Sequence, residues 1–515
     1  MIRRPSTALS GASGPPFPRA GATRRVHRVI GPAIFAALCC GAAPTPADTG
    51  ARPAAVPDHT VQGWVTSADH SRELLRVDAP LDTATDAPAT IEIDATRRYQ
   101  TMVGFGASIT DASAWLIRMR MDGAQRAALM QELFGPPPGL HIGFARLTIG
   151  ASDFSLTHYS LDDVPPGESD RALAHFSIAP IRDTVVPVAR EALSLNPSLK
   201  LMASPWSAPG WMKSSHALVR GTLLPQFYGA FANYLVKYVE TMKAQGIPIF
   251  ALTVENEPHY EPPDYPGMLL DASARAQLIG RYLGPALAAR KSTTTIMEWD
   301  HNWLWPEEPL QVLGDRQAAA YITGVAWHCY LGKVTVQAGV HLVHPDKDAY
   351  MTECTGGDWE TPADPALLSM TRELIIGSTR GWARGVLLWN LALDESSGPH
   401  SGGCRNCRGL VTIDSRTGEV RRNDGYYVIA HASRFVHPGA QRIESSETDA
   451  GLANVAFRNE DDGSIVLIAA NSAPSPRAVL VRCRDREFRF TMPERSVATF
   501  VWAEDDAGLR RRPTK

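Results

Sequence analysis

Between about residues 98 and 425 the chain repeats one rhythm: a short apolar run, a loop rich in Gly, Pro, Ser and Asp, then a longer amphipathic stretch. Eight apolar runs carry it, at 102–106, 142–149, 200–204, 249–254, 294–299, 325–329, 349–353 and 386–389. Runs this short, bounded by turn residues, suit buried strands, while the stretches 226–245, 272–290 and 365–381 have the length and apolar spacing of helices. Strand and helix alternating eight times predict an α/β fold, a (β/α)8 TIM barrel over residues 98–425. The rhythm is weakest at the fifth and sixth repeats, where the intervening helices are short.

On either side the pattern changes to period two. Short alternating runs at 61–65, 74–77 and 90–94 predict strands within 58–97, and runs at 454–457, 464–468, 477–481 and 496–502 predict more within 426–505. Asp461, Asp462 and Gly463 supply a hairpin turn between two of them. Neither block is large enough to bury both its faces alone, so the two predict one side β-sandwich built from both chain ends.

The remaining segments are read from composition. Arg24, Arg25 and Arg28 precede an apolar run at 29–40 and then Gly41, Ala42 and Ala43, the order of a signal peptide within residues 1–45. A Pro, Ala and Thr rich flexible linker follows at 46–57, and residues 506–515 form a polar tail expected to be disordered. These features predict a secreted or periplasmic protein. No later segment approaches the roughly 20 apolar residues of a membrane-spanning helix, so no stable membrane insertion is expected. A net charge of -3 gives no basic field to gather phosphates, which argues against a nucleic acid partner. Seven cysteines are too few in this length for a disulfide framework. Cys404 and Cys407 stand out as a C-x-x-C in a glycine-rich loop and read as a loop-closing disulfide. Half a zinc site is the rival, but it needs two more ligands and the neighbouring sequence offers none, so no metal is expected.

A barrel of this kind carries its chemistry where the strands end. The predicted strand ends carry Asp111, Arg146, Ser152 and Asp153, Trp206, Asn256 and Glu257, His328 and Tyr330, Glu353, and Trp389. Carboxylates, amides and indoles around one mouth describe a sugar site. Glycosidic cleavage needs one protonated carboxyl for the leaving oxygen and one carboxylate for the anomeric carbon, about 5–5.5 Å apart when configuration is retained. Strands four and seven provide them. Glu257 is expected as the acid/base and Glu353 as the nucleophile, because Asn256 can hold the sugar's 2-hydroxyl and Tyr330 can donate to Glu353.

Five segments then carry a resemblance: GFGASITD at 104–111, ASPWSAPGWMK at 203–213, TVENEP at 253–258, MTEC at 351–354 and WNLAL at 389–393. Together and in this order they resemble glycoside hydrolase family 30, the glucosylceramidase family, over roughly residues 60–505. The resemblance implies a retaining mechanism without metal or organic cofactor. It implies Glu257 as acid/base, Glu353 as nucleophile, and Asp111, Trp206, Asn256 and Trp389 as contacts to the sugar. His328 and Tyr330 match supporting residues at the same site. Arg146 is expected to orient Glu353 or Asn256. Two positions depart from the glucosylceramidase pattern, which has a tryptophan at the place of Cys329 and an asparagine near His400; both border the exit of the aglycone and weaken the case for a lipid.

The residues have plainer readings too. Asp111 could cap the helix that follows it, Trp211 could anchor a loop, and Glu298, Asp300, Asp394 and Glu395 are rival carboxylates. The leading functional expectation is an exo-acting β-glucosidase of glucosylceramidase type, taking a carbohydrate or glycolipid. An endo-β-1,6-glucanase, or a β-xylosidase or β-fucosidase, fits the same frame, and a noncatalytic carbohydrate-binding protein is the alternative of another class. Loops 258–271, 299–309 and 396–408 decide the depth of the mouth.

Overall fold

The structure, a computed structural model, describes residues 60–504 other than 89, 362–364 and 450. The expected leader, linker and tail lie outside the described residues. Among those described, no helix is long and apolar enough to cross a membrane.

The barrel strands are β1 (Gly104–Ser108), β2 (Phe144–Ile149), β3 (Lys200–Pro205), β4 (Ile249–Leu252), β5 (Thr295–Asn302), β6 (Ile322–His328), β7 (Asp348–Glu353) and β8 (Ala383–Leu393). Each is parallel to the next, and β8 pairs with both β7 and β1, which closes the ring. Side chains alternate along a strand, so every second residue enters the barrel. The lower interior layer is apolar: Phe144, Met202, Ala251, Met297, Ala326, Tyr350 and Leu387 form one buried cluster. Two residues further along their strands stand Arg146, Ser204, Thr253, His328, Thr352 and Trp389, and this upper layer is largely polar. In β5 the period breaks, since Trp299 and Asp300 both have positive φ (78° and 55°) and the β5–β6 register shifts nearby. That break lets Asp300 join the polar layer.

The side domain is a ten-stranded sheet curled into a sandwich around its own core, which includes Val61, Ile91, Ile465, Val481 and Phe488. Its long strand Ile91–Thr101 is the corner, antiparallel to Gln441–Ser445 along most of its length and parallel to Arg477–Cys483 at its start. The N-terminal strand Thr60–Ser67 lies between Leu75–Pro80 and the last strand, Ser496–Ala503. Strand Ser464–Asn471 is buried on both faces: Ile465, Leu467 and Ala469 point into the sandwich, whereas Val466, Ile468 and Ala470 belong to the core shared with the barrel. Residues 424–433 form a helix, Asp424–Ser433, where the sequence suggested returning β texture. Its His431 bonds the hydroxyls of Thr66 and Thr499, 2.9 Å each, tying the barrel's edge to the side sheet.

Cysteine usage departs from expectation. Cys404 and Cys407 are bonded as read, but Cys329 and Cys354 form a second disulfide across the ends of β6 and β7. Their separation of 25 residues hides the pair in the sequence; only the adjacency of neighbouring strands brings them together.

Candidate active site

The polar layer is organised around Asp300, which is fully buried. One of its oxygens accepts from Arg146 (2.6 Å), Ser204 (2.6 Å) and Thr253 (2.8 Å), and the other from Thr352 (2.7 Å) with His328 Nε2 at 3.1 Å. Burial disfavours its charge, but Arg146 and the hydrogen bonds outweigh that and hold the carboxyl far below the usual range. Arg146 reaches in three directions: to Asp300, to Asn256 Oδ1 (2.8 Å), and to Glu353 through a short ion pair. It therefore orients both Glu353 and Asn256, as its place at the end of a buried strand suggested.

Glu353 ends β7 and receives the Tyr330 hydroxyl at 2.9 Å. Burial pushes its carboxyl up, His328 and Arg146 pull it down, and the charges of Glu257 and Asp300 add to the rise. Glu257 sits just past β4 with φ of 52°, a left-handed conformation costly for a side chain with a Cβ. Its backbone N–H is held by the Asp300 carbonyl at 3.0 Å, which fixes the turn. His328 Nδ1 lies 3.0 Å from Glu257 Oε1, with His301 Nδ1 at 3.4 Å. Burial works against charge on Glu257, yet these imidazoles bring its carboxyl down to about 2. Burial likewise opposes charge on His328, but Glu353, Asp300 and Glu257 raise it to about 9.

These two shifts describe one proton. Asp300 takes an N–H from His328 Nε2, so the proton on the other side of the ring lies between Nδ1 and Glu257; placed on nitrogen it gives imidazolium and carboxylate, placed on oxygen a neutral ring and a carboxylic acid. The pair keeps that proton up to about pH 9. Glu257, His301 and His328 also bring three potential metal-ligand atoms within 4.8 Å of one another. His328 Nδ1 faces Glu257 Oε1 at 3.0 Å, near enough for the two to share a proton.

Both glutamates line one cavity of about 400 Å3, together with Asp153, Tyr260, Tyr265, Tyr330, Trp359, Trp389 and the Cys404–Cys407 loop. Trp389 stacks on Trp206 with centroids 4.8 Å apart, and the Arg146 guanidinium lies 4.7 Å from the Trp206 ring. An aromatic surface, two carboxyls and a proton relay thus meet at the mouth of the barrel.

Residues 102–436 match the glycosyl hydrolase family 30 TIM-barrel domain, and residues 439–500 match the beta sandwich domain of the same family. This chain belongs to glycosyl hydrolase family 30. It is 33% identical to an endo-1,6-beta-D-glucanase of Neurospora crassa, over 85% of this chain and 94% of that one. It is 29% identical to the lysosomal acid glucosylceramidase of Mus musculus, over 79% of this chain and 82% of that one. The solved structure of the endo-beta1,6-glucanase BT3312 superposes with a TM-score of 0.79 at 32% identity, covering 87% of this chain and all (100%) of that one.

Within this family 30 site the expected sugar contacts separate into two sets. Tyr330 and Trp389 line the cavity, whereas Trp206, Asn256 and His328 are buried beside or beneath its lining. Asp111 is likewise not among the cavity-lining side chains: it is buried, accepts the Tyr159 hydroxyl at 2.6 Å on one oxygen while the other has no hydrogen-bond partner, and is raised to about 6 by burial. Nor does it cap its helix, Asp111–Met119, because Thr110 does so by accepting from the Ser113 N–H. Asp153 is a cavity residue beyond the expected set. It lines the cavity, one of its oxygens is buried without a partner, and burial followed by the charge of Glu353 raises it to about 8. The cue was present in the sequence, since Ser152 and Asp153 end the second strand run. Trp211 anchors a loop through a 3.0 Å bond from its indole to the Asp162 carbonyl. Of the four rival carboxylates, Asp300 lies within the site, bonded to Arg146 and His328, and three are engaged elsewhere: Glu298 with Arg275 at 2.6 Å, Asp394 with backbone N–H groups of its own loop, and Glu395 with Ser415.

Proposed function

We propose that the chain is a retaining endo-acting β-1,6-glucanase. The observation that carries this reading is likeness along nearly the whole chain to proteins named for that activity, at 33% identity in sequence and 32% in structure. The exo-acting glucosylceramidase expectation gives way to it, supported as it is by lower identity to the mouse enzyme. The rim agrees with a polysaccharide: Trp359 and Tyr260, 51% and 45% exposed, stand at the edge of the catalytic cavity as flat faces for further glucosyl units.

In this mechanism Glu353, fixed by Arg146 and Tyr330, attacks the anomeric carbon as the glycosidic oxygen leaves. The proton shared by Glu257 and His328 passes through Glu257 to that oxygen. The covalent ester removes the negative charge from Glu353, and Glu257 then takes a proton from water as the second displacement regenerates the enzyme. Asp153 accepts hydroxyls of the bound glucosyl unit, and Trp389 packs on its C–H face. The two disulfides suit an oxidising compartment, which supports export as the pattern of the first residues suggests.

Incubation with pustulan, followed by chromatography and by NMR of the first anomer released, tests the proposal. A ladder of β-1,6-linked oligosaccharides with β-configured new ends is expected. Glucose as the sole early product would overturn endo action, and an α-configured first product would overturn retention.

A further inference from the structure

The Cys329–Cys354 disulfide sits where the hydrogen-bond ladder between β6 and β7 runs out. β6 ends at His328 and β7 at Glu353, and these two residues are the last pair in register, just after a shift at Trp327. One residue beyond each, the chains are joined covalently, with Cα atoms 5.4 Å apart. Cys329 is flanked by His328, which holds Glu257, and by Tyr330, which donates to Glu353 at 2.9 Å. Cys354 directly follows Glu353, its carbonyl receives the Trp389 N–H at 2.7 Å, and the Cys329 N–H reaches the Glu353 carbonyl at 3.3 Å. Tyr330 is 38% exposed and its loop turns at Gly332, so beyond this bond its main tether is the Leu331 N–H to Asn302 Oδ1 at 3.0 Å.

We propose that the Cys329–Cys354 disulfide is a positioning element of the active site, holding the ends of β6 and β7 so that Tyr330 and His328 keep both glutamates in reacting geometry. This rests on Glu257 and Glu353 being the reacting pair. A misplacement of about 1 Å lowers the rate on the order of 10²-fold even when substrate still binds. The bond therefore acts on kcat.

The test compares the wild type with the double variant C329S/C354S on an activated aryl β-glucoside and on β-1,6-glucan. kcat falls about 10–100-fold by that geometric argument, with KM changed far less. The groups facing His328 are Glu257, Glu353, Asp300, His301 and Arg146; with their spacing relaxed, the alkaline limb of kcat moves to lower pH. Tyr330→Phe costs less in C329S/C354S than in the wild type, because the hydroxyl is already misplaced. If C329S/C354S does not fold, the same measurements are made on folded C404S/C407S enzyme treated with a trialkylphosphine, which becomes the phosphine oxide as water supplies its oxygen and two protons for the thiols. A lowered Tm with unchanged kcat, pH profile and Tyr330→Phe cost overturns the proposal. Azide rescue of Glu353→Gly reports on the reacting pair independently, so the two failures are distinct.

Discussion

The reactive carboxyls differ in how their protons are held, and that difference predicts what each substitution does. In the proposed mechanism Glu257 works through the proton it shares with His328, so Glu257→Ala is expected to lower kcat on β-1,6-glucan by about 10²–10⁴-fold. An activated glycosyl fluoride, whose leaving group needs no proton, should be turned over at its first step almost as before; equal losses on both substrates would refute the role. Because the pair releases its proton near pH 9, kcat should decline on the alkaline side around that value, and His328→Gln should move the limb. Asp153→Asn replaces a buried carboxyl of the cavity and should cost about 10–100-fold in kcat/KM. The place of Asp153 was beyond the linear pattern: Asp111 and Asp153 both follow strand runs, and only the packed barrel shows that Asp153 opens on the cavity. Glu257 and Glu353 were legible in the sequence because they follow or end apolar runs within the segments TVENEP and MTEC.

At the scale of elements, all eight barrel strands were visible as apolar runs, since burial on both faces leaves a continuous signal. The helix Asp424–Ser433 was not, because it is buried nearly all round and shows no polar stripe to mark its period. The Cys329–Cys354 bond and the centrality of Asp300 were hidden for a related reason: each depends on neighbours brought close by barrel closure or by a local break in period. The loop bearing Cys404 shows how an element shapes the site. Gly403 has φ of 67°, and a Cβ placed there would come within 2.5 Å of the Asp153 Cβ. Gly403→Ala should therefore push the Asp153 side chain aside and raise KM for β-1,6-glucan, while a distant glycine with open space around it, such as Gly123→Ala, should leave the kinetics unchanged.

For the molecule as a whole, stability in acid should depend on the joint between barrel and side sheet. His431 is wholly buried there, and burial lowers it to about 3. The unfolded chain protonates this ring near its ordinary value and the folded chain does not, so its contribution is present above about pH 6.5 and is lost as pH falls toward 3, at about 1.4 kcal/mol per unit. Chemical denaturation from pH 7 to pH 4 should show that slope flatten in His431→Gln; an identical slope would remove the joint from the explanation. Strand Thr60–Ser67, near the start of the described chain, has Ser496–Ala503 as one of its two partners. During synthesis that edge must wait for more than four hundred residues to emerge, so the side sheet is sealed late and a chaperone has that whole interval in which to hold it open.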